Sequence, residues 1–312
     1  MQAGADVELR ERSRFPRHKV CGEFLSPEIV PLLRRLGVER DFEAAGPATI
    51  RRLELYFAAR SKAAALPEWA FGLSRYAFDQ LLLDCAVRMG AAVKNEAATA
   101  ADPPVVIAHG RQSSEAQPKG RRTFGFKAHF RGPATDAIEL HFFKGGYVGI
   151  NSIESGLINV CGLASEALLK EIGFEYDALL ERSPSLKERL CGMDRAMDWL
   201  STGPLVYGNR FGDPVREGIY PAGDALSFVD PFTGSGLYCA VLGGTMAGDN
   251  AARGVAAGEH LRQCQRALSR PFAFSSLIRK AVTSDVADRL AQLVPVGLLY
   301  RLTRPQRTLA RR

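Results

Sequence analysis

A short buried strand, Gly218–Ala222, runs into Gly223-Asp224, and the turn Pro231-Phe232-Thr233-Gly234-Ser235-Gly236 then opens a small-residue-rich helix from Leu237 to Arg253. This stretch constrains the fold most, because a strand delivers an acid at its carboxyl end and a glycine-rich turn starts the helix that follows. Free N–H groups at that helix start, with the positive end of the dipole, suit a phosphate or an electron-rich ring edge. Asp224 is placed to accept hydrogen bonds from sugar-like hydroxyls. Gly234 and Gly236 let the backbone approach a ligand without a Cβ in the way. Spacing alone leaves a second reading equally open, in which these glycines serve only the turn and helix packing.

Elsewhere the hydrophobic period divides the chain. A strand from Asp6 to Arg10 ends in Glu11 and leads into a basic loop, Arg12, Arg14, Arg17, His18 and Lys19, then Cys21-Gly22-Glu23. Ser26 and Pro27 read as N-cap and first helical residue, with Ile29, Leu32, Leu33 and Leu36 at helical spacing until Gly37. Phe78, Leu81, Leu82, Cys85, Ala86 and Met89 mark a second helix closed by Gly90, and Val105 to Ala108 is a further strand. From Thr123 the period becomes alternating: Thr123–Arg131, Ile138–Lys144, Tyr147–Ile153 and Leu157–Leu163 read as an antiparallel sheet, with Gly145-Gly146 as a two-residue hairpin turn. Residues 165–200 return to mixed helical character with a break at Pro184, and helices over about 259–270 and 275–302 close the chain.

Composition narrows the class. With 312 residues, 46% apolar and 24% charged, the chain has the make-up of a soluble, enzyme-sized protein. Its formal charge of +7 owes much to Arg301, Arg304, Arg307, Arg311 and Arg312, so residues 1–300 carry only +2, which argues against a nucleic-acid protein. The six cysteines form no C-x-x-C pair, consistent with a reduced, cytoplasmic compartment and no metal site. No apolar run reaches the roughly 20 residues of a spanning helix. An apolar stripe from about Thr283 onward, beside the terminal arginines, leads to an expectation of peripheral contact with anionic membrane. His129 and His141 on alternating strands read as structural, and Phe71, Phe126, Phe142 and Phe143 mainly as core.

Several blocks resemble one superfamily. GIYPAGDALSFVDPFTGSGLYCAV resembles the second flavin motif of the FAD-dependent oxidoreductases that include aromatic hydroxylases (flavin monooxygenases), geranylgeranyl reductases and flavin-dependent halogenases. LRERSRFPRHKVCGEFLSPEIVPLLRRLGV is similar to the start of the geranylgeranyl-reductase-like branch, and GLSRYAFDQLLLDCA to its arginine-aspartate helix. TFGFKAHFR, ELHFFKGGYVGI and LINVCGL are similar to its substrate-domain sheet.

The resemblance implies an α/β fold with a Rossmann-like parallel sheet that binds FAD, an inserted antiparallel-sheet substrate domain and C-terminal helices. Boundaries follow at 1–60 and 61–122 for the first FAD-binding parts, 123–210 for the substrate domain, 211–258 for the second FAD-binding part and 259–312 for the helices and basic tail. Glu11 matches the acid on the adenosine ribose, and Arg75 an arginine close to the cofactor. Gly223, Asp224, Pro231, Gly234 and Gly236 belong to the second motif, with Asp224 at the ribityl or pyrophosphate portion and the last two glycines at the flavin pyrimidine edge. Cys21 matches a cysteine near the flavin and is the one candidate catalytic residue. An apolar isoprenoid, aromatic or polyketide-like substrate is implied, with NAD(P)H as a transient electron donor. The family's G-x-G-x-x-G turn is absent from the sequence. The strand at 6–10 needs a parallel neighbour, so DNA upstream of Met1 is expected to encode such a turn in frame. The alternative is a truncated, non-catalytic remnant that does not bind FAD.

Overall fold

The computed structural model describes residues 4–58, 60–98, 101–110, 122–205, 208–209, 211, 215–228 and 234–268. Pro231, the helix expected over 275–302 and the basic tail lie outside them.

The alternating middle of the chain builds the centre of a nine-stranded sheet. Thr123–Arg131, Leu157–Ser165, Gly146–Ser152 and Ala137–Phe143 lie side by side in that order, each antiparallel to the next. The hairpin turn is Lys144-Gly145, one residue earlier than expected, with Gly146 already in its strand. Because side chains alternate across a strand, Phe126, Ala128 and Phe130 share one face while Lys127 and His129 take the other. The apolar face packs on three short helices, Glu166–Glu171, Tyr176–Leu180 and Pro184–Leu190, through Leu168, Leu169, Leu179 and Leu186. Each such side chain removed from water contributes about 1.5–3 kcal/mol. Pro184 starts the third helix rather than breaking one, as its fixed φ and missing N–H allow.

The sheet extends further than the alternation suggests. Ala48–Phe57 joins beside Ala137–Phe143 in parallel, and Arg60–Gly72 and Phe24–Leu25 follow it. Ala48–Phe57 and Arg60–Gly72, on either side of the boundary drawn at 60, thus belong to the large sheet. Pro67 is tolerated within this strand because only Phe71 and Gly72 pair with Phe24–Leu25, leaving the rest of that side an edge.

The two ends of the chain supply two parallel ladders of two strands each, Glu8–Arg10 with Ala92–Lys94 and Val105–Ile107 with Ile219–Pro221. The helix of the Ser26-Pro27 segment begins only at Ile29 and ends at Leu36, with Gly37 left-handed at φ 76°. Ser26 does not cap it: its hydroxyl is buried without a partner, and its carbonyl accepts from Ile29 N–H at 3.0 Å. The helix Arg75–Arg88 is capped by Ser74, whose hydroxyl accepts from Ala77 N–H at 3.1 Å. Gly236–Ala252 packs on Ile219–Pro221 through Ala247 against Tyr220 and Ala222. No helix among the described residues is long and apolar enough to cross a membrane.

A buried histidine ties this half together. His260, in the helix 257–268, donates from Nε2 to the Pro221 carbonyl at 3.0 Å and accepts at Nδ1 from Asn250 Nδ2 at 3.1 Å. Both ring nitrogens are used by the neutral form, and burial holds the imidazole below its ordinary value. The unfolded chain therefore takes up a proton first, near pH 6.5, and stability falls as pH drops below that value. We expect the thermal unfolding midpoint to be lower at pH 5.5 than at pH 7.5. His260→Gln should flatten that dependence, measured by circular dichroism melts at the two pH values.

Candidate functional site

One cavity of about 2690 Å³ runs between the parallel ladders and the large sheet. A single drug-sized ligand occupies roughly 300–1,000 Å³, so this space suits a large ligand together with a second molecule. The helix Gly236–Ala252 presents Gly236, Ala240, Gly244 and Gly248 to it, a bare face at four-residue spacing. No side-chain cap hydrogen bond closes the first turn of that helix, which leaves backbone N–H groups as its polar offering to the cavity. Gly234 sits at φ 61°, and a Cβ there would lie 2.8 Å from Phe24 Cδ1, so conformation and space both demand glycine. Gly236 differs. Its φ is not left-handed and nothing lies within 4 Å of where its Cβ would be, so a side chain there would fill cavity space without restricting the turn.

The expected cofactor-binding positions among the described residues border this same cavity. Asp224 lies in the short turn Gly223–Ala225, at the carboxyl end of Ile219–Pro221. Glu11 ends the strand Glu8–Arg10, where its N–H donates to Lys94 O at 3.1 Å. The Glu11 carboxylate accepts from Ser13 N–H at 2.8 Å, with Arg17 3.9 Å away. Arg75 is neither solvated nor turned freely to the cavity. It forms a two-pronged pair with Asp79 at 2.7 and 2.8 Å, and Lys19 donates to the same carboxylate at 2.7 Å. Burial opposes the Arg75 charge, but Asp79 and the adjoining Cys21 sulfur outweigh it and hold the guanidinium above its ordinary value. Burial would raise the Asp79 carboxyl, and the bonds from Arg75 and Lys19 hold it below the usual range instead. Cys21 also accepts at its sulfur from Glu23 N–H at 3.4 Å.

Sequence reasoning passed over the residue that organises this region. Glu23 is fully buried in a left-handed backbone conformation, φ 51°. Its Oε1 accepts from Lys127 Nζ and from Arg75 N–H, the latter at 2.7 Å, and its Oε2 meets His129 Nε2 at 2.7 Å. Burial would raise the carboxyl, yet His129 and Lys127 hold it below its ordinary value. Lys127, itself fully buried, also donates to Lys19 O at 3.2 Å. The signal available in the sequence was Lys127 and His129 at alternate positions of a strand whose other face is wholly apolar. Phe71, Phe126, Phe142 and Phe143 lie in core clusters. His141 is buried, stacked on Tyr56 at 4.4 Å and 2.9 Å from Ser185 Oγ.

No family model matches the sequence, and no curated protein does. Solved structures do. The flavin-dependent brominase Bmp2 is 19% identical with a TM-score of 0.75, over 97% of this chain and 88% of that one. The myxobacterial chondrochloren halogenase CndH, an FAD-dependent halogenase, is 20% identical with a TM-score of 0.75, over 99% and 82%. A flavoprotein/dehydrogenase from Cytophaga hutchinsonii is 15% identical with a TM-score of 0.75, over 97% and 87%. At these identities the likeness establishes the fold, a mixed α/β architecture with parallel and antiparallel sheets.

Removing Lys127 leaves the buried Glu23 carboxylate with His129 and the Arg75 N–H but without its ammonium partner. Lys127→Met should therefore destabilise the protein by about 3–5 kcal/mol. Adding Glu23→Gln to that variant should recover part of the loss, as measured by urea unfolding of the wild type, the single and the double variant.

Proposed function

We propose that this chain is a flavin-dependent oxidoreductase, of reductase or monooxygenase type, acting on an apolar substrate. The observation that carries the reading is the continuity of one cavity from the Gly223-Asp224 turn and the start of the helix at Gly236 to the face of the large sheet. The residues fit the group. Gly236 offers an unobstructed backbone approach, Gly234 is held in a conformation only glycine takes readily, and Asp224 borders the same cavity. In this reading Gly223, Asp224, Gly234 and Gly236 hold the flavin and ribityl portion, and Glu11 the adenosine ribose. Arg75 acts through Asp79, Lys19 and Cys21 to set the charge beside them. When bound, FAD supplies the redox chemistry through its isoalloxazine, and the protein's share is placement, electrostatics and exclusion of water. The fold is shared with flavin-dependent halogenases and a flavoprotein/dehydrogenase, which supports the assignment.

A second reading is a non-catalytic relative that does not bind FAD. It is favoured by one observation: the parallel strands among the described residues form two separate two-stranded ladders rather than one continuous sheet.

FAD titration followed by quenching of flavin fluorescence separates the two. Asp224→Ala should weaken binding about tenfold to a hundredfold, the loss of one charge-assisted hydrogen bond of roughly 1.5–3 kcal/mol. Gly236→Val should weaken it by filling the approach while leaving the melting temperature nearly unchanged. A folded wild type that takes up no FAD points to the second reading. Equal binding by wild type and both variants would overturn the placement of the site.

A further inference from the structure

The segment Lys19–Glu23 lies against the inner face of the large sheet, and its contacts fix where each residue rests. The Lys19 carbonyl accepts from Lys127 Nζ at 3.2 Å, and the Cys21 carbonyl accepts from Asn159 Nδ2 at 3.3 Å. Between these two anchors is Val20, whose Cγ1 lies 3.2 Å from where a Cβ on Gly125 would be. In the sheet Gly125 stands opposite Leu163, Lys127 opposite Cys161 and His129 opposite Asn159. Asn159, Cys161 and Leu163 alternate along one strand, so their side chains share the inner face. Cys161 therefore sits between the residue that holds Cys21 and the residue beside Val20, under the same loop.

The two cysteines meet in one wall. Both are half-buried and both border the cavity. Burial, reinforced by the Cys21 sulfur, pushes the Cys161 thiol up. The Cys21 sulfur has different company: it accepts from Glu23 N–H at 3.4 Å and lies against the Arg75 guanidinium. Reactive cysteines occupy electropositive, partly exposed surroundings of this kind. The other four are poor rivals as partners. Cys85, Cys239 and Cys264 are buried, and Cys191 is exposed at the end of the helix Pro184–Leu190, which packs on the opposite face of the sheet.

We infer that Cys21 and Cys161 form a reversible dithiol–disulfide pair in the cavity wall, with Cys21 the sulfur oxidised first and Cys161 the one that resolves it. The oxidant this chemistry takes is a hydroperoxide. The Cys21 sulfur attacks one peroxide oxygen, the O–O bond breaks, and with hydrogen peroxide the other oxygen leaves as water. The Cys161 sulfur then attacks the Cys21 sulfenic acid, the S–O bond breaks, and a second water leaves. Two thiol protons and two electrons have passed to the peroxide, and an external dithiol returns both by exchange through a mixed disulfide. The new bond ties the loop that carries Glu23 to the strand Leu157–Ser165. The inference goes beyond the proposed function and needs no flavin.

The test is peptide mapping of the folded full chain, without added flavin, after brief treatment with hydrogen peroxide, acid quenching and alkylation of the remaining thiols. Trypsin places the two cysteines in fragments 20–34 and 145–170, each with a single cysteine. The expected product is one linked fragment, two hydrogens lighter than the sum of the pair, from protein that runs as a monomer on a non-reducing denaturing gel, and dithiothreitol should remove it. Cys21 should be oxidised at least about tenfold faster than Cys191, although Cys191 is the more exposed. Cys161→Ser should abolish the link and leave Cys21 as a sulfenic acid that dimedone captures, whereas Cys21→Ser should leave Cys161 as a free thiol, with circular dichroism melts reporting that each variant is folded. The inference is overturned if the wild type forms no such link, if the link joins two chains, if Cys191 is oxidised as fast as Cys21, or if Cys161 is oxidised equally well in folded Cys21→Ser. The wild-type mapping decides the first three points without either variant.

Discussion

The buried carboxylate of Glu23 is the contact on which the arrangement of the cavity depends. It joins three parts of the chain that are remote in sequence: the strand Thr123–Arg131 through Lys127 and His129, the first turn of Arg75–Arg88 through a backbone N–H, and its own Cys21–Glu23 turn. A buried ion pair contributes little net stability by itself, because desolvation offsets the attraction, but breaking it is costly. Its consequence here is registry. The left-handed turn at Glu23 passes directly into Phe24–Leu25, which pairs with Gly72 and Phe71, and Phe24 is the ring against which Gly234 packs. One carboxylate thus sets the position of the loop over the sheet and, through Phe24, of the chain entering the helix at Gly236.

The large sheet serves two purposes because its faces are chemically different. On one, Phe126, Ala128, Phe130, Val148, Ile150 and Val160 make a continuous apolar layer closed by the three short helices. The other faces the cavity and changes character across the strands, from Leu53, Leu55, Ile138 and Leu140 to Asn151, Asn159, Lys127 and His129. The second face borders the cavity, while the first is closed by the three short helices and carries stability.

The sequence made local structure readable and distant pairing unreadable. Alternation located the four central strands because each has one face of uninterrupted apolar residues. The antiparallel pair Ala48–Phe57 and Arg60–Gly72 escaped because Arg51, Arg52, Arg60 and Lys62 interrupt the pattern, a bulge breaks its register between Ile50 and Arg52, and Pro67 lies within it. The helix near Ser26 was foreseen, but its start was misplaced, since Ser26-Pro27 forms a turn before the helix instead of its cap. In the site, the strand-Gly-Asp-turn-helix order was legible because its parts are contiguous. Glu23 was not, because its side-chain partners lie more than a hundred residues away, and no local pattern encodes such a contact.

Arg75 shows how tertiary context decides a residue's part. As a first-turn arginine it admits a solvated reading and a cofactor-contact reading, and the structure supplies a third. Its guanidinium is engaged on two prongs by Asp79, which Lys19 also holds, and it lies against the Cys21 sulfur. The pair with Asp79 uses Nε and one Nη2 N–H of the five N–H donors on the guanidinium, so Arg75, which lines the cavity, can reach a ligand while it stays on the carboxylate. Charge-assisted, two-pronged bonds are the strong ones, so the Asp79 pair fixes the orientation of the guanidinium. Removing the guanidinium would leave the Asp79 charge held by Lys19 alone beside the cavity, so its influence on a ligand there passes in part through the Asp79–Lys19–Cys21 group. The arginine is therefore best understood as part of the charge balance beside the cavity.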